Sequence, residues 1–451
     1  MRRKTFIKTS TAAMAGGLIL PWSACKTKPM IRKNWAGNLT YNAIEELKPA
    51  NKNELIATIR DHDRIKALGT RHCFNSIADT KYTQVSTENL NKVISLNEND
   101  LMVTVESGIK YGQLAPYLEE RGYALHNLAS LPHISVGGAC STATHGSGVK
   151  NGNLSTAVRS IELIKANGEI INLSPGQDND WFNGGVVGLG GLGVMSSLGL
   201  AIQKSFPMRQ RVYQNLPLEE LKNNFEAILS SGYSVSLFTD WLNNEVSQVW
   251  IKSQSGEINE VSSNEFYGAM AATKNLHPIV TLGAENCTEQ LGIDGPWYER
   301  MPHFKMGFTP SSGEELQAEY FVPFENGLEA MLAIEKIKDK VYPLLLISEI
   351  RTIAADSFWM SPCYQQPCLS IHFTLKPDWE GVKKLLPAIE QELAPFRVKP
   401  HWGKLFTIPA NELGSRYEKM PDFIQMMKTF DPEGKFRNDF LDTYVYANDS
   451  N

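Results

Sequence analysis

The spacing of apolar and polar residues predicts both strands and helices in the first part of the chain. Apolar and polar positions alternate through LMVTVES at 101–107, as they do in a half-buried strand. In GQLAPYLEERG at 112–122 the apolar positions recur at helical spacing, and a glycine closes the run. On these criteria we expect strands at 64–68, 101–107, 159–165 and 169–173, and helices at 51–61 and 112–122. Ala-Asn-Gly joins the last two strands and is typical of a type I′ hairpin turn.

The pattern changes near residue 206, where strands and helices begin to alternate. A polar, irregular stretch at 253–315 interrupts this order, without a charge block or a low-complexity linker. Two strand–helix–strand units predict an α+β domain with a mixed, mostly antiparallel sheet and helices on one face. We place the domain boundary at Pro207. The predicted strands are 212–216, 233–238, 246–251, 318–322, 344–352 and 369–374, and the predicted helices are 218–229, 326–338 and 379–393.

The N-terminal residues predict an export signal and not a folded element. A basic head with Arg2 and Arg3 precedes a small, apolar run at 11–20, which is the charge order of a signal peptide. The run RRKTFIK resembles a twin-arginine signal, although Phe6 sits one place later than usual. Ser-Ala-Cys25 resembles a lipobox with an atypical tryptophan, so Cys25 is a candidate for a lipid anchor. We expect a signal at 1–25, a linker at 26–33, and an exported protein of the periplasm or cell envelope.

Composition and charge exclude several classes of function. The chain has 451 residues, 42% of them hydrophobic and 21% charged, which suits a globular protein of more than one domain. A net charge of −5 argues against nucleic-acid binding, and no apolar run after the signal reaches the roughly 20 residues that span a bilayer. The six cysteines include no CxxC pair, so we expect no zinc site. Cys363 and Cys368 could form a disulfide in an oxidising compartment.

Two glycine-rich stretches are candidates for binding a large anion. Residues 126–153 carry a run of glycines among small side chains, and glycine lets backbone N–H groups come close to a ligand. A glycine-rich loop that binds nothing is the alternative. A second glycine loop, at 69–75, contains His72 and favours a binding site, because a histidine beside a glycine turn could reach a cofactor. His72 lacks partners at metal-ligating spacing, so we expect no metal there.

A third glycine motif, at 188–193, matches GxGxxG. A nicotinamide site needs this turn after the first strand of a βαβ unit, with an acidic residue about 20 positions later. Here the motif lies late in the predicted domain, and LGLAIQKSFPM follows it without an acidic residue. We therefore reject a nicotinamide site and interpret the motif as a close-packed turn that could touch a cofactor.

Polar residues on two apolar strands form the second group of candidates. Glu349 and Arg351 sit two residues apart in PLLLISEIRTIAA, so their side chains point to one face. His372 and Thr374 do the same in LSIHFTL, and Lys404 follows in PHWGKLF. A structural ion pair between Glu349 and Arg351 is the simpler explanation. An acid, a base, a guanidinium and an ammonium that converge favour a polar pocket instead, of the kind that a polyhydroxylated substrate needs.

The chain resembles a known family at these same residues. The shared segments run from NWAGNLTY at 34–41 to DPEGKFRN at 431–438 and cover essentially all of the chain after the signal. Between them lie HNLASLPHISVGG, THGSGVKNGNLS, YSVSLFTDW, NCTEQLG, SEIRTIAAD, IHFT and HWGK. In these segments the sequence closely resembles the alditol oxidases, which belong to the vanillyl-alcohol-oxidase-type flavoproteins together with xylitol oxidase and the aldonolactone oxidases.

The resemblance implies a fold and a cofactor. The expected fold is the α+β, two-domain vanillyl-alcohol-oxidase/p-cresol-methylhydroxylase type. Its parts would be an FAD-binding domain at 34–206, a substrate-binding cap domain with a mostly antiparallel sheet at 207–400, and a C-terminal segment at 401–451 that returns to the FAD-binding domain. FAD would be attached covalently through His72. Arg71 stands where the family commonly has glycine or another small residue, and Cys73 replaces a common serine.

The resemblance also implies residue roles by position. Glu349, Arg351, His372 and Lys404 would act in catalysis, Ser130 and Thr374 would bind the substrate, and Ala129 would lie near the flavin edge. The residues that would contact FAD are Gly69, Thr70, Arg71, His72, Cys73, Phe74, Asn75, Ser130, Ser135, Gly137, Gly138, Ser141, Thr144, His145, Gly146, Gly148, Gly193 and Val194.

The reaction that the resemblance implies is hydride transfer from a terminal alcohol to flavin N5, followed by reduction of O2 to hydrogen peroxide. Arg351 and Lys404 can stabilise negative charge. Either Glu349 or His372 could accept the proton, and the sequence does not choose between them. The expected partners are O2 and a small polyol such as xylitol or sorbitol, and we expect a monomer. An aldonolactone oxidase or dehydrogenase is the alternative on the same fold, and a surface lipoprotein that binds sugars without redox chemistry is the alternative of another class.

Overall fold

The computed structural model describes residues 32–176, 180–256, 261–307 and 315–449. The predicted signal at 1–25, with its candidate anchor Cys25, lies outside these residues, and so does nearly all of the predicted linker. Residues Lys33–Asn451 form one compact unit. Within the described ranges, no helix has the length and hydropathy needed to cross a membrane.

A small parallel sheet carries the first glycine loop. Its strands are β1 (Glu45–Leu47), β2 (Ile65–Leu68) and β3 (Thr83–Ser86), in the spatial order β1-β3-β2. Helix α1 (Lys52–Asp61) connects β1 to β2. The side chain of Asn51 accepts a hydrogen bond from the Glu54 N–H and caps this helix, which begins where the sequence predicts. Because β2 ends at Leu68, the glycine loop leaves the sheet at the end of a mostly buried strand.

A five-stranded antiparallel sheet lies next in the chain. Its strands are β4 (Val93–Asn97), β5 (Met102–Glu106), β7 (Val158–Ile164), β8 (Ile170–Leu173) and β9 (Val194–Ala201), in the spatial order β4-β5-β9-β7-β8. The other elements are α2 (Tyr111–Glu119), β6 (Tyr123–Ala124), α3 (Val136–Ser141), α4 (Trp181–Val186) and β10 (Gln203–Lys204), which pairs with β6. Inward side chains such as Val103, Val105 and Leu198 are buried in the main hydrophobic core. The glycine-rich stretch supplies α3, which packs against β9.

The turn between β7 and β8 differs from the predicted type I′ turn. Gly168 adopts a φ of +79°, whereas Asn167 stays at negative φ. The Gly168 N–H donates to the Lys165 carbonyl and the Lys165 N–H donates to the Glu169 carbonyl, both at 2.9 Å. A type I′ turn needs positive φ at both central residues, and here a type I turn precedes one left-handed glycine. The predicted hairpin is confirmed, and the predicted turn type is wrong.

The strands from residue 207 onward form one ten-stranded sheet. They are β11 (Pro207–Pro217), β12 (Ser234–Thr239), β13 (Glu245–Gln254), β14 (Glu265–Phe266), β15 (Ala269–Ala271), β16 (Gly295–Pro296), β17 (Leu316–Pro323), β18 (Leu345–Ile353), β19 (Cys368–Leu375) and β20 (Lys399–Pro400). Their spatial order is β14-β15-β11-β13-β12-β18-β19-β17-β20, with β16 paired to β11. All pairings between these strands are antiparallel. The predicted mostly antiparallel sheet is confirmed, but the predicted mixture with parallel pairs is wrong. Strands β17 and β18 are not neighbours, because β19 lies between them and pairs antiparallel with both.

Helices of this part cross between strands of the same sheet. The helix predicted at 218–229 is two helices, because Asn224 leaves helical geometry at a φ of −130° and its side chain donates to the Glu220 carbonyl at 3.1 Å. The helix predicted at 326–338 is also divided, at Ile337. The helices are α5 (Leu218–Asn223), α6 (Phe225–Leu229), α7 (Trp297–Arg300), α8 (Gly327–Lys336), α9 (Lys338–Val341) and α10 (Trp379–Leu393), the last with its predicted bounds.

The C-terminal segment packs on the small parallel sheet. It contains α11 (Ala410–Ser415), α12 (Met420–Phe430) and α13 (Asp439–Tyr444). The Ile65 N–H donates to the Lys435 carbonyl at 3.0 Å, and Phe436 is fully buried in one cluster with Leu55 and Ile59. The chain therefore ends beside the strand from which the first glycine loop emerges.

Candidate active site

One large cavity lies between the two glycine loops and a face of the ten-stranded sheet. It contains about 2050 Å³ of space free of atoms, part of it open to solvent. Residues 69–74, Gly137 and Gly138 form one wall, and side chains of β17, β18 and β19 form the opposite wall. The structure thus brings the predicted glycine loops and the predicted polar strands to the same space.

The antiparallel register places three ionisable side chains side by side in this wall. On the central strand β19, His372 is paired with Glu319 of β17 on one side and with Glu349 of β18 on the other. Directly opposite residues point to the same face of a sheet. The intervening residues, such as Ile350 and Phe373, are fully buried in the core. The polar row therefore follows from the alternation of the strands.

Arg351 is the buried cation of this row. Its Nη2 donates to Glu319 Oε1 at 2.6 Å, and its Nε lies 3.5 Å from Glu349 Oε1. Its Nη1 donates to Ser130 Oγ at 3.4 Å, which joins the sheet to the glycine-rich stretch. Burial alone would lower the pKa of Arg351, but the two carboxylates raise it above its ordinary value. The ion pair and the polar pocket considered from the sequence are therefore one arrangement.

Both carboxyl groups beside Arg351 are held as anions. Glu349 Oε1 accepts a hydrogen bond from His303 Nε2 at 2.8 Å, and Glu319 Oε1 lies 3.0 Å from His145 Nε2. Burial raises the pKa of each carboxyl, but the charge of Arg351 and the neighbouring imidazoles lower it below its ordinary range. Two acceptors and one guanidinium thus face the cavity in a fixed arrangement.

Gln317 connects His372 with Lys404. Its Oε1 accepts hydrogen bonds from Lys404 Nζ and from His372 Nε2, the second at 3.2 Å. His372 Nδ1 is buried and has no hydrogen-bond partner within the described part of the chain. Burial lowers the pKa of His372 to about 3 and also lowers the pKa of Lys404. The imidazole is therefore neutral near pH 7, and Nδ1 carries its lone pair. Lys404 Nζ also lies 4.6 Å from the centre of the Phe74 ring, in the first glycine loop.

Sequence reasoning missed three residues of this wall. Glu319 and Gln317 sit two residues apart in LQAEYFVP on an otherwise apolar strand, which is the same signal that identified Glu349 and Arg351. His303 lies in the irregular stretch before β17, where no periodicity marks it. The first two residues could have been found from the sequence, and His303 could not.

His72 is held firmly at the cavity wall. Its ring stacks on Trp35 with 5.3 Å between ring centres and 19° between planes. Its Nδ1 lies 3.0 Å from Thr70 Oγ1, and its Nε2 is buried without a partner among the described residues. Burial lowers the pKa of His72 to about 3. The neighbouring Cys73 thiol is also buried, which raises its pKa to about 11.

Most of the other residues predicted to contact a cofactor or substrate also line the cavity. Ala129, near the predicted flavin edge, does so as well. The lining residues from the predicted set are Gly69, Thr70, Arg71, His72, Cys73, Phe74, Ser130, Gly137, Gly138, Ser141, Thr144, His145, Gly193, Val194, Glu349, Arg351, His372, Thr374 and Lys404.

Four residues predicted to contact the cofactor do not line the cavity. Asn75 donates from Nδ2 to the carbonyls of Trp402 and Lys404, at 2.8 and 2.7 Å, and so holds two loops together. The other three support the cavity from behind. Ser135 donates its N–H to Thr70 Oγ1, Gly146 packs on Asn127 and Leu128, and Gly148 donates its N–H to the Thr352 carbonyl. For these four residues, a direct contact with the cofactor stays a prediction.

The GxGxxG turn also reaches this cavity, which Gly188, Gly190 and Gly193 line just before β9. It precedes the central strand of the antiparallel sheet and not a helix of a βαβ unit. Within the described ranges, no group of three His, Cys, Asp or Glu residues is arranged to hold a metal ion. Cys363 and Cys368 are both buried thiols without a disulfide between them.

Comparison with known proteins assigns this arrangement to a family. A model of FAD-binding domains matches residues 46–174, and a model of D-arabinono-1,4-lactone oxidase matches residues 244–444. The alditol oxidase of a Streptomyces species is 42% identical over 411 residues, which cover 90% of this chain and 97% of that protein. The L-gulono-1,4-lactone dehydrogenase of Mycobacterium tuberculosis and the L-gulonolactone oxidase of Mus musculus are each 25% identical, over 91% and 92% of this chain and 98% of either protein.

Solved structures show the same fold at lower sequence identity. The crystal structure of cholesterol oxidase from B. sterolicum covers 92% of this chain and 96% of its own chain, with a TM-score of 0.75 and 14% identity. This likeness supports the flavoprotein fold alone. With the fold, the cavity and a relative that is similar along nearly its whole length, the chain belongs to the alditol oxidase family of FAD-dependent oxidoreductases.

Proposed function

We propose that this protein is an alditol oxidase that uses FAD to oxidise a terminal alcohol of polyols such as xylitol or sorbitol. The observation that carries the proposal is the cavity that unites the glycine loops with a charge-balanced polar wall. The 42% identity to an alditol oxidase supports it. A polyol presents several hydroxyl groups, each of which can donate and accept. Glu349 and Glu319 supply acceptors, and Arg351 and Lys404 supply donors.

FAD fits the glycine-lined wall. A Cβ atom added at Gly69 or Gly138 would lie 2.8 or 2.9 Å from Ser135 Oγ, and one at Gly137 would lie 2.8 Å from Ser107 Cβ. A side chain at these positions would press on the neighbouring serines, so glycine lets the chain pack closely there. Because these glycines also line the cavity without a side chain, an extended dinucleotide can lie close to their backbone. His72 Nε2, buried without a partner, is suited to bind a group in the same space. We propose that His72 carries the flavin covalently, because its ring is neutral and has a lone pair.

The chain's own residues supply binding, charge and proton transfer. When bound, FAD supplies the acceptor for the two electrons removed from the alcohol. Arg351 and Lys404 place positive charge in the wall, which stabilises negative charge that develops on the substrate oxygen. Glu349 is fixed between His303 and Arg351 and orients a substrate hydroxyl.

His372 is better placed than Glu349 to accept the alcohol proton. Its Nε2 donates to Gln317, so Nδ1 is the acceptor and faces no competing donor among the described residues. Glu349 already accepts from His303, and the nearby cation makes its carboxylate a weak base. Burial weakens His372 as a base too, but negative charge that develops beside a neutral imidazole raises its pKa.

The substrate class is tested with the purified flavoprotein. Xylitol should bleach the flavin band at roughly 450 nm without air and should produce peroxide in air. L-Gulono- and L-galactono-lactone should do neither. The lactones are the specific alternative, because the D-arabinono-1,4-lactone oxidase model matches residues 244–444. A protein reduced by the lactones alone would contradict the alditol assignment, and a colourless protein would favour the sugar-binding lipoprotein.

The covalent attachment is tested by acid precipitation. The flavin should stay in the pellet of the wild-type protein and should appear in the supernatant of His72→Ala. Flavin released from the wild-type protein would contradict a covalent bond.

We also propose that the protein is exported, is anchored by a lipid at Cys25, acts as a monomer and passes electrons to O2. The basic head and the lipobox-like Ser-Ala-Cys support export and anchoring. Cell fractionation of the wild type and of Cys25→Ala tests the anchor. We expect the wild type in the membrane fraction and the variant in the soluble fraction. Sedimentation tests the monomer, and oxygen uptake matched by peroxide tests the acceptor.

A further inference from the structure

Lys252 is a buried lysine that the reaction as described does not use. It lies on β13 and is 1% exposed. Its Nζ donates to the Met301 carbonyl and to His303 Nδ1, the second at 3.1 Å. Within the described residues, no carboxylate pairs directly with this ammonium group. A buried cation without a direct counter-ion is costly, so its burial beside His303 calls for an explanation.

His303 connects Lys252 to the catalytic wall. An ammonium group has hydrogen-bond donors only, so His303 Nδ1 must be the acceptor and Nε2 must carry the hydrogen. That tautomer is the neutral form that can donate to Glu349 Oε1, at 2.8 Å. The rings of Trp250 and Phe238 pack edge-on against the His303 ring, with 5.1 and 5.4 Å between centres, and hold its orientation. Lys252, His303 and Glu349 therefore form one directed chain of hydrogen bonds.

We propose that Lys252 is a positioning residue: through His303 it keeps Glu349 ionised, with one carboxylate oxygen occupied and the other available to a substrate hydroxyl. The proposal deepens the alditol oxidase function and rests on it. Lys252 itself touches neither substrate nor cofactor in this arrangement. Its effect on the reaction passes through the tautomer, orientation and protonation of His303.

The charges around Lys252 set the direction of the expected pH effect. Glu349 and Arg351 face it from β18. His303 faces it from the segment between α7 and β17, and Cys287 faces it from the segment between β15 and β16. Burial lowers the pKa of Lys252 to about 7, and burial together with the charge of Lys252 lowers the pKa of His303 to about 4. Without the ammonium, the His303–Glu349 pair takes up a proton at higher pH. The acid limb of the reaction should therefore move to higher pH.

The test compares the flavin-bound wild type with Lys252→Met. The rate constant for flavin reduction by xylitol is measured without air from about pH 5 to about pH 9. We expect Lys252→Met to stay yellow and to lose about tenfold in this rate constant, with little change in the xylitol concentration that gives half the maximal rate. Its acid limb should shift upward by about one pH unit. Lys252→Arg keeps a donor cation and should restore the limb. Ser253→Ala, next on β13 and facing the other side of the sheet, is the matched control and should leave the limb in place.

A double-mutant cycle separates the chain from two independent effects. If Lys252 acts through His303, the double variant Lys252→Met/His303→Leu should lose no more than the worse single variant. Additive losses would overturn the proposal. So would a Lys252→Met protein with a lower melting temperature but an unchanged rate constant and acid limb. If Lys252→Met does not fold, Lys252→Gln and His303→Leu carry the same comparison.

A wild type reduced by a lactone and not by xylitol would contradict the proposed function, and the limb comparison with that lactone would still decide the role of Lys252.

Discussion

Among single residues, Arg71 holds the least favourable backbone conformation in the first glycine loop. It adopts a φ of +64° directly before His72, a region that costs an L-residue roughly 1–2 kcal/mol. Its carbonyl accepts from the Trp35 N–H at 2.8 Å, and the Trp35 ring stacks on His72. A glycine at this position would adopt the same φ without that cost. Trp35 therefore contacts the loop twice, through its backbone N–H and through its ring, and these contacts help to hold this conformation.

Arg71→Gly should therefore stabilise the protein. Relief of the left-handed strain exceeds the extra entropy of glycine in the unfolded chain, so we expect about 0.5–1 kcal/mol more stability. Urea unfolding of the two proteins measures the difference. Arg397→Gly, at a φ of +52° and outside the cavity, is the matched control and should gain a similar amount. A less stable Arg71→Gly would show that the arginine side chain makes a contact that outweighs the strain.

Arg351 and Lys404 should differ in what their loss does. Arg351 stands between two buried carboxylates, so Arg351→Met leaves both without their cation and should cost about 3–5 kcal/mol of stability. Lys404 is only partly buried, so Lys404→Met should change stability by less than about 1 kcal/mol. Both variants should stay yellow and lose turnover of xylitol. Unfolding and turnover measured on the same preparations test the contrast, and full turnover in Lys404→Met would contradict its place in the site.

Much of the site could be predicted from single residues on strands, and much less from residues in loops. Glu349, Arg351 and His372 stand out because a charged side chain in an apolar strand must share its face with its neighbours at i ± 2. The same rule marks Glu319, which sequence reasoning overlooked. His303 reaches Glu349 from an irregular segment. Lys252 lies on a strand, but its contact with His303 is set by the tertiary fold. Their roles depend on distances across the chain that no local pattern encodes.

Among the elements, the strands were predictable and their neighbours were not. The predicted strands at 318–322, 344–352 and 369–374 all exist, with ends that differ by a few residues. Their order is β17, β19, β18 across the sheet, so the third strand in sequence becomes the central one. Pairing is decided by long-range burial and not by local propensity. This insertion is what sets His372 between two carboxylates.

Gly148 joins two of these elements and should tolerate no side chain. Its φ is +134°, and a Cβ atom there would lie 2.4 Å from Asn151 Nδ2 and 2.5 Å from the Tyr233 carbonyl. Its N–H donates to the Thr352 carbonyl of β18. We expect Gly148→Ala to cost more than about 3 kcal/mol, because backbone strain and overpacking act together.

The matched control for Gly148→Ala is Gly122→Ala. Gly122 has a φ of +76° but no atom within 4 Å of an added Cβ, so this change should cost only about 1 kcal/mol. Thermal or urea unfolding of both variants measures the contrast. Equal losses would show that dihedral strain alone, and not the junction with the large sheet, sets the cost.

For the whole molecule, buried histidines should make stability depend on pH. Apart from His72, which would carry the flavin, burial lowers the pKa of four of them to about 3 or 4: His126, His303, His372 and His401. In the unfolded chain a histidine titrates near 6.5. Below that pH the unfolded state binds more protons, so stability should fall as the pH falls from about 6.5 toward 4, by up to about 1.4 kcal/mol per pH unit for each histidine. The anions of Glu319 and Glu349, whose pKa values are lowered, add a loss only below about pH 4.5.

Urea midpoints between about pH 7.5 and about pH 5 test this dependence. His126, which lies outside the cavity, gives the control, since His126→Gln should reduce the slope without touching the candidate site. A stability that stays constant over this range would show that the imidazoles are solvated and titrate normally.

Asn75 has a consequence for anyone who recombines this enzyme with its relatives. Its amide holds the Trp402 and Lys404 carbonyls, and the Phe74 N–H donates to the Gly403 carbonyl at 2.7 Å. These hydrogen bonds join the segment that would hold the flavin to the segment that carries Lys404. More than three hundred residues of chain separate the two segments. Transfer of only one of these segments into another protein would lose the hydrogen bonds between them. Chimeras designed for a new substrate range should therefore exchange 69–75 and 401–405 together.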